Sequence, residues 1–169
     1  INTVIVDEDG RLHGSNTDVF GFLENLRQNS EWRADNGPVV LVGAGGAARA
    51  IAVALLEAGA KEIRIVNRTK SRAIELAEKF GDTILPIPWE ERVNSLEGAS
   101  LLINATNLGM QGQVPLDLPL DRLSAEAIVN DIVYSPLETN LLKAARARGN
   151  HVVDGLGMLL HQAQPGFEA

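Results

Sequence analysis

Five apolar residues, PVVLV at positions 38–42, run directly into a turn made almost wholly of glycine and alanine, GAGGAAR at 43–49. No other feature constrains the fold as tightly. The segment Gly43-Ala44-Gly45-Gly46-Ala47-Ala48 fits the pattern G-x-G-x-x-A, placed after a strand and at the opening of a helix. Each small residue has a task there. Gly43 makes the tight turn, Gly45 lets a pyrophosphate approach the backbone, and Ala48 allows helix and strand to pack closely. The free N–H groups of the following helix, together with its dipole, then favour an anion at that point.

The pattern downstream is regular. Strands are expected at PVVLV, EIRIVN (62–67), ILPIP (84–88), SLLINAT (100–106), AIVNDIVY (127–134) and HVVDG (151–155). Helices are expected at Ala47–Ala58, Ser71–Phe80 and Leu137–Arg148, each followed by a glycine stop at Gly59, Gly81 or Gly149. A short polar helix is expected after ILPIP. Strands that are apolar throughout and alternate with helices imply βαβ units in a parallel sheet covered on both faces. The expected fold class is therefore α/β, a doubly wound parallel sheet of Rossmann type from about residue 37 to 153. Two pieces flank it. One comprises a strand at 2–7, a short strand and loop in RLHGSNTD (11–18) and a helix from Thr17 to Asn29; the other is the C-terminal stretch from 154. The strand at 2–7 reads as an orphan with an exposed edge, which invites self-association.

A NAD-selective turn places Asp or Glu at the end of the second strand to hold the ribose 2′-hydroxyl. Here that position is Asn67, followed by Arg68 and Thr69, with Arg72 one turn on. A carboxylate would repel a 2′-phosphate, whereas two guanidiniums and a hydroxyl offer it forked, charge-assisted donors. The cofactor expected is NADP. Solvated cations at a helix start are the alternative, but there they are unfavourable. The net charge of -7 argues against non-specific nucleic-acid binding. The chain has no cysteine, so neither a disulfide nor a thiolate metal site is available, in keeping with a reducing, cytoplasmic setting. No apolar run is long enough for a membrane span. His13, His151 and His161 have no metal-like spacing, and no metal is expected.

The segments NTV (2–4), NTDVFGF (16–22), GAGGAAR, NRTKSR (67–72), NATNLGM (104–110), DIVY (131–134) and DGLGMLLHQA (154–163) stand in the order found in shikimate dehydrogenases, which the chain resembles over nearly its whole length. The resemblance implies reversible, NADPH-dependent reduction of 3-dehydroshikimate to shikimate in aromatic amino-acid (chorismate) biosynthesis, with substrate in a cleft between two domains. It divides the chain into the end of a substrate domain (1–17), an NADP-binding domain with a connecting helix (18–153, the helix at 18–29) and a returning C-terminal helix (154–169). A quinate/shikimate dehydrogenase paralogue and a non-catalytic NADP-binding module are the alternatives.

Carried over position by position, Asn2, Asp18, Tyr134 and Gln162 resemble the family's substrate contacts, with Asp18 also its catalytic carboxylate. On residues alone Asp18 reads first as a helix cap, and Asn2, Tyr134 and Gln162 are ordinary for an edge strand, a half-buried aromatic and a solvated helix. The cofactor set comprises Gly43, Ala44, Gly45, Gly46 and Ala47; then Asn67, Arg68, Thr69, Lys70, Ser71 and Arg72; and finally Thr106. Ile132 and Gly155 resemble the residues that line the nicotinamide. The family's catalytic lysine and paired serines lie upstream of its NTV motif. None of Lys61, Lys70, Lys79 or Lys143 stands where a partner of Asp18 should be. The expectation is that this polypeptide binds NADP(H) and by itself turns over negligibly.

Overall fold

The computed structural model describes residues 1–168. It opens with a hairpin, β1 (Thr3–Val6) and β2 (Leu12–Ser15), paired antiparallel from Thr3 opposite Ser15 to Val6 opposite Leu12. The strand at 2–7 is thus not an orphan. Asp7 pins the turn. It accepts from the backbone N–H groups of Asp9 and Arg11 and lies 2.8 Å from His13 Nε2. The His13 contact first, and then those N–H groups, hold its carboxyl below the usual range. Two strands alone cannot bury a face, and Val4, Val6 and Leu12 are exposed.

After helix α1 (Asp18–Asn29) the chain enters a six-stranded parallel sheet. Its elements are β3 (Val39–Val42), α2 (Gly46–Glu57), β4 (Ile63–Val66), α3 (Lys70–Phe80), β5 (Ile84–Ile87), β6 (Leu101–Asn104), β7 (Ile128–Asp131), α4 (Asn140–Ala147) and β8 (His151–Val153), followed by α5 (Leu156–Phe167). The strand order is β5-β4-β3-β6-β7-β8. The order reverses between β3 and β6, the switch point where open α/β sheets bind ligands. All four residues of β3 are buried, and alternation sends them to opposite sides. Val39 and Leu41 join a core with Ile51, Leu55 and Leu76, capped by Phe22 and Leu26 of α1. Val40 and Val42 join a second with Leu102, Val129 and Leu142. Among the described residues, no helix is long and apolar enough to cross a membrane.

Gly59, Gly81 and Gly149 end α2, α3 and α4 with φ near +90° (90°, 91° and 90°), as the glycine stops suggest. Three further expectations need correcting. The short polar helix is two 3-10 turns, Trp89–Glu91 and Asn94–Leu96. Helix α4 begins at Asn140 rather than Leu137, because Thr139 is its cap and accepts from Leu142 N at 3.3 Å. Strand β7 ends at Asp131, three residues before Tyr134. The Asp131 carboxylate takes the N–H of Val133 at 3.1 Å, which diverts that donor from the ladder.

Candidate functional site

The turn after β3 is built for close approach. Gly43 has φ of 118°, and a Cβ there would lie 2.9 Å from the Ala105 carbonyl oxygen, so only glycine fits. Its N–H donates to Val66 O at 2.8 Å, which ties the turn to the end of β4. Ala48 is fully buried against the sheet, as close helix–strand packing requires. Gly45 and Gly46 differ: a Cβ on either would meet nothing within 4 Å. Ala44 is buried, while Ala47 lies half-buried on the first turn of α2. Gly45 offers no side-chain cap, and no acidic residue stands in that first turn, so the helix N–H groups and dipole face open space.

The same cleft, about 260 Å³, runs from this turn to the start of α3 and is lined there by Asn67, Arg68 and Arg72. Asn67 Nδ2 donates to Thr69 O at 2.8 Å, which shapes the loop. Thr69 makes no side-chain cap, and Lys70, Ser71 and Arg72 open the helix with no acid among them. Among the described residues neither Arg68 nor Arg72 has an ion pair, and no carboxylate lines the cleft. Exposed guanidiniums beside an uncapped helix start are an arrangement that an anion stabilises. The donor set therefore suits a phosphorylated dinucleotide carrying a 2′-phosphate.

The opposite wall is the 105–108 loop, including Thr106. Asn104, fully buried at the end of β6, holds it. Asn104 Oδ1 accepts from Thr106 N at 3.1 Å and Thr106 Oγ1 at 2.7 Å, and its Nδ2 donates to Leu108 O and to Asp131 Oδ1, both at 3.0 Å. Asp131 Oδ2 accepts from Thr139 Oγ1 at 2.7 Å. Burial pushes the Asp131 carboxyl up, against hydrogen bonds from Thr139, Val133 and Asn104 that pull it down. One buried carboxylate thus joins the loops after β6 and β7. Beyond it, Gly155 is buried against the backbone carbonyl of Ile132, so close that no side chain could be added. Ile132 and Gly155, paired in the sequence reading, are in contact.

A second cluster forms where the hairpin meets α1 and α5. Asn2 Nδ2 donates to Asp18 Oδ1 at 2.9 Å and to Gln162 Oε1 at 3.2 Å. Asn2 Oδ1 accepts from Thr17 N at 3.0 Å and Thr17 Oγ1 at 3.2 Å. The close crossing of α1 and α5 makes this possible: a Cβ on Gly21 would lie 2.7 Å from Met158 O and 2.8 Å from Gln162 Cβ. Asp18 is not the helix cap that residue type alone favours. Thr17 occupies that position, and Asn16 Oδ1 takes the Asp18 N–H at 2.8 Å, leaving the Asp18 carboxylate for Asn2. An amide and a carboxylate fixed together can hold a polyhydroxylated ligand. Tyr134 is 46% exposed, and among the described residues no hydrogen bond ties it to this cluster. His161 is half-buried on α5, and no metal-binding group of residues occurs among those described.

Sequence reasoning missed Asn104, Asp131, Thr139, Gly21 and Trp89. The first two carried a signal, since Asn104 closes an otherwise apolar strand and Asp131 closes one whose last two residues are polar. The other three depend on contacts between distant segments.

The family model of shikimate / quinate 5-dehydrogenase matches residues 25–110. The shikimate dehydrogenase (NADP(+)) of Paramagnetospirillum magneticum is 56% identical over 170 residues, covering 100% of this chain and 62% of its own length. The chain thus spans about three fifths of the length of the curated relatives it matches. Quinate dehydrogenase from Corynebacterium glutamicum, solved with NAD, superposes with a TM-score of 0.90 at 33% identity, over 98% of this chain and 60% of that one. Shikimate 5-dehydrogenase from Thermus thermophilus, solved with NADP(H) and shikimate, gives 0.83 at 40% identity, over 98% and 59%. With a Rossmann strand order, an open glycine turn and a family match over half its residues, this chain belongs to the shikimate / quinate 5-dehydrogenase family.

Proposed function

We propose that the chain is the NADP-binding part of a cytoplasmic shikimate dehydrogenase, which reversibly reduces 3-dehydroshikimate to shikimate in aromatic amino-acid biosynthesis. The observation that carries this reading is the cleft with two unpaired guanidiniums, Arg68 and Arg72, beside two uncapped helix starts and no carboxylate. NADPH, when bound, supplies a hydride. Gly43, Ala44, Gly45, Gly46 and Ala47 would receive its pyrophosphate. The run Asn67 to Arg72 would receive its 2′-phosphate, and Thr106 would close the other side. Ile132 and Gly155 would give the nicotinamide a flat, dry wall, which guards hydride transfer from side reactions.

In the second cluster, Asp18 would hold the substrate hydroxyl that gains or loses a proton, with Asn2 fixing the carboxylate. Gln162 and Tyr134 would bind further hydroxyls. Residues 1–17 belong in this reading to a substrate domain, 18–153 to the cofactor domain with its connecting helix, and the stretch from 154, of which Ala169 lies outside the described residues, to a returning helix. The chain by itself binds cofactor but turns over negligibly. Hydride transfer needs substrate held in near-attack geometry, so native-like turnover of the 169-residue chain would refute this point. The exposed apolar hairpin favours self-association, and a strictly monomeric sizing profile at high concentration would count against that.

The deciding experiment is a titration with NADPH and NADH, repeated on Arg68→Ala. NADPH should bind more tightly, and the substitution should erode that preference by about 1–3 kcal/mol, the scale of a lost charged hydrogen bond. Equal affinities in the unsubstituted chain would refute the assignment. A second reading, a quinate-using enzyme, is favoured by the 0.90 superposition on a quinate dehydrogenase solved with NAD. Preference for NADH in the same titration would support it.

A further inference from the structure

One aromatic residue in the cleft has no part in the roles above. Trp89 lies in the 3-10 turn directly after β5 and lines the same cavity as Gly45, Arg68 and Arg72. It is half-buried, packed on one side against the core that contains Val42 and Val66. Arg92 holds it from another side, with its guanidinium 4.9 Å from the indole centroid. Arg92 is itself fixed: Nη1 donates to Trp89 O at 3.2 Å, Nε to Asp117 O at 2.9 Å and Nη2 to Asp117 Oδ2 at 3.0 Å. The indole is thus a rigid wall rather than a mobile flap, and little freedom is lost when a ligand rests on it.

Strand order gives the wall its chemical meaning. The open glycine turn follows β3, the guanidiniums follow β4, and Trp89 follows β5, the next strand outward. A dinucleotide whose pyrophosphate lies at the first and whose 2′-phosphate lies at the second has its adenine attached to that same ribose. Its base therefore reaches the outer end of the cleft. We infer that Trp89 is a binding residue for the purine ring of the cofactor, fixing the adenosine end by aromatic contact while Arg68 and Arg72 take its phosphate. The inference rests on the NADP reading above and adds the base to it.

The test uses 2′,5′-ADP, which carries the adenosine end alone, on the full chain. Of the two tryptophans, Trp32 lies before β3, at the far end of the strand from the cleft, and bonds to Ser100 Oγ. The ligand should quench indole emission in Trp32→Phe and leave it unchanged in Trp89→Phe. By calorimetry, Trp89→Ala should raise the Kd by about 5- to 150-fold, the range of a lost base–aromatic stack, and Trp89→Phe by less. If Trp89→Ala fails to fold, the two phenylalanine variants decide through quenching alone. Tight binding by the unsubstituted chain, with quenching retained in Trp89→Phe or an unchanged Kd in a folded Trp89→Ala, overturns the role of Trp89 and leaves the NADP reading standing. No binding of 2′,5′-ADP by the unsubstituted chain overturns both.

Discussion

Replacing Gly21 by alanine should destabilise the protein, although the same change inside an ordinary helix does the opposite. An interior helical glycine costs about 0.5–1 kcal/mol relative to alanine, so propensity alone favours Gly21→Ala. The crossing of α1 and α5 reverses the sign. An added Cβ would lie 2.7 Å from Met158 O, 2.8 Å from Gln162 N and 2.8 Å from Gln162 Cβ. Two of these are backbone atoms and the third is the root of a side chain, so no rotamer change relieves the clash. The helices must separate, and overpacking of this kind costs about 1–3 kcal/mol. Net destabilisation of about 1–2 kcal/mol is expected, which for a domain of this size lowers Tm by about 2–8 °C. Separation also draws Gln162 Oε1 away from Asn2, now 3.2 Å apart, and so loosens the cluster around Asp18. Thermal melts followed by circular dichroism measure the first effect, and, under the function proposed above, shikimate affinity measures the second. A Tm equal to or above that of the unsubstituted protein would show that the α1–α5 crossing is looser than described and that Gly21 has no spacing role.

Gly46→Ala is the counterpart. With nothing within 4 Å of its Cβ, it should leave Tm unchanged or slightly raised yet weaken NADPH binding at least several-fold, and undiminished binding would exclude the phosphate from that spot. Asp131 has a folded-state pKa raised by burial above its unfolded value near 3.8. Its ionisation therefore opposes folding: the penalty is absent below the unfolded pKa and grows as pH rises through the folded one. Asp131→Asn should accordingly gain in Tm relative to the unsubstituted protein as pH rises from about 4 to 7, and a constant offset across that range would contradict the raised pKa.

Much of the sheet was legible because its signals are local. Val39 and Leu41 lie in an apolar run too short for a helix, Ile63 and Ile65 in a short β-branched segment broken only by Arg64, and Gly59, Gly81 and Gly149 stand where the chain needs φ near +90°. The glycine turn and the arginine pair were legible for the same reason: position after a strand fixes what each can touch. Legibility failed where a polar side chain competes with backbone pairing. AIVNDIVY reads as one strand through Tyr134, but the Asp131 carboxylate captures the Val133 N–H and ends the ladder early. Leu137 reads as helical, yet Thr139, held by Asp131, sets the start of α4 three residues later. The residue-level reading of Asp18 as a cap failed because Thr17 holds the cap position, without a side-chain cap bond, and Asn16 Oδ1 takes the Asp18 N–H. In each case the deciding partner is a side chain whose reach periodicity does not report.

Glycines make the same distinction between what a chain needs for itself and what it leaves open. In sequence, Gly21, Gly43, Gly45, Gly46 and Gly155 look alike. In the structure, a side chain at Gly21, Gly43 or Gly155 would strike the protein's own backbone, at Met158, Ala105 and Ile132 respectively. Those three are accounted for by packing and would be needed with or without a ligand. Gly45 and Gly46 strike nothing. Gly46, inside the first turn of α2, costs backbone entropy, and Gly45, at an N-cap that tolerates glycine, has φ -88° and does not adopt a backbone that requires it. Under the function proposed above, a body outside the protein explains these two. It must come within a Cβ's distance of the backbone and accept from N–H groups left uncapped at the head of α2. A phosphate oxygen meets both conditions, which makes the two featureless glycines stronger witnesses to a bound nucleotide than the strained one that begins the motif.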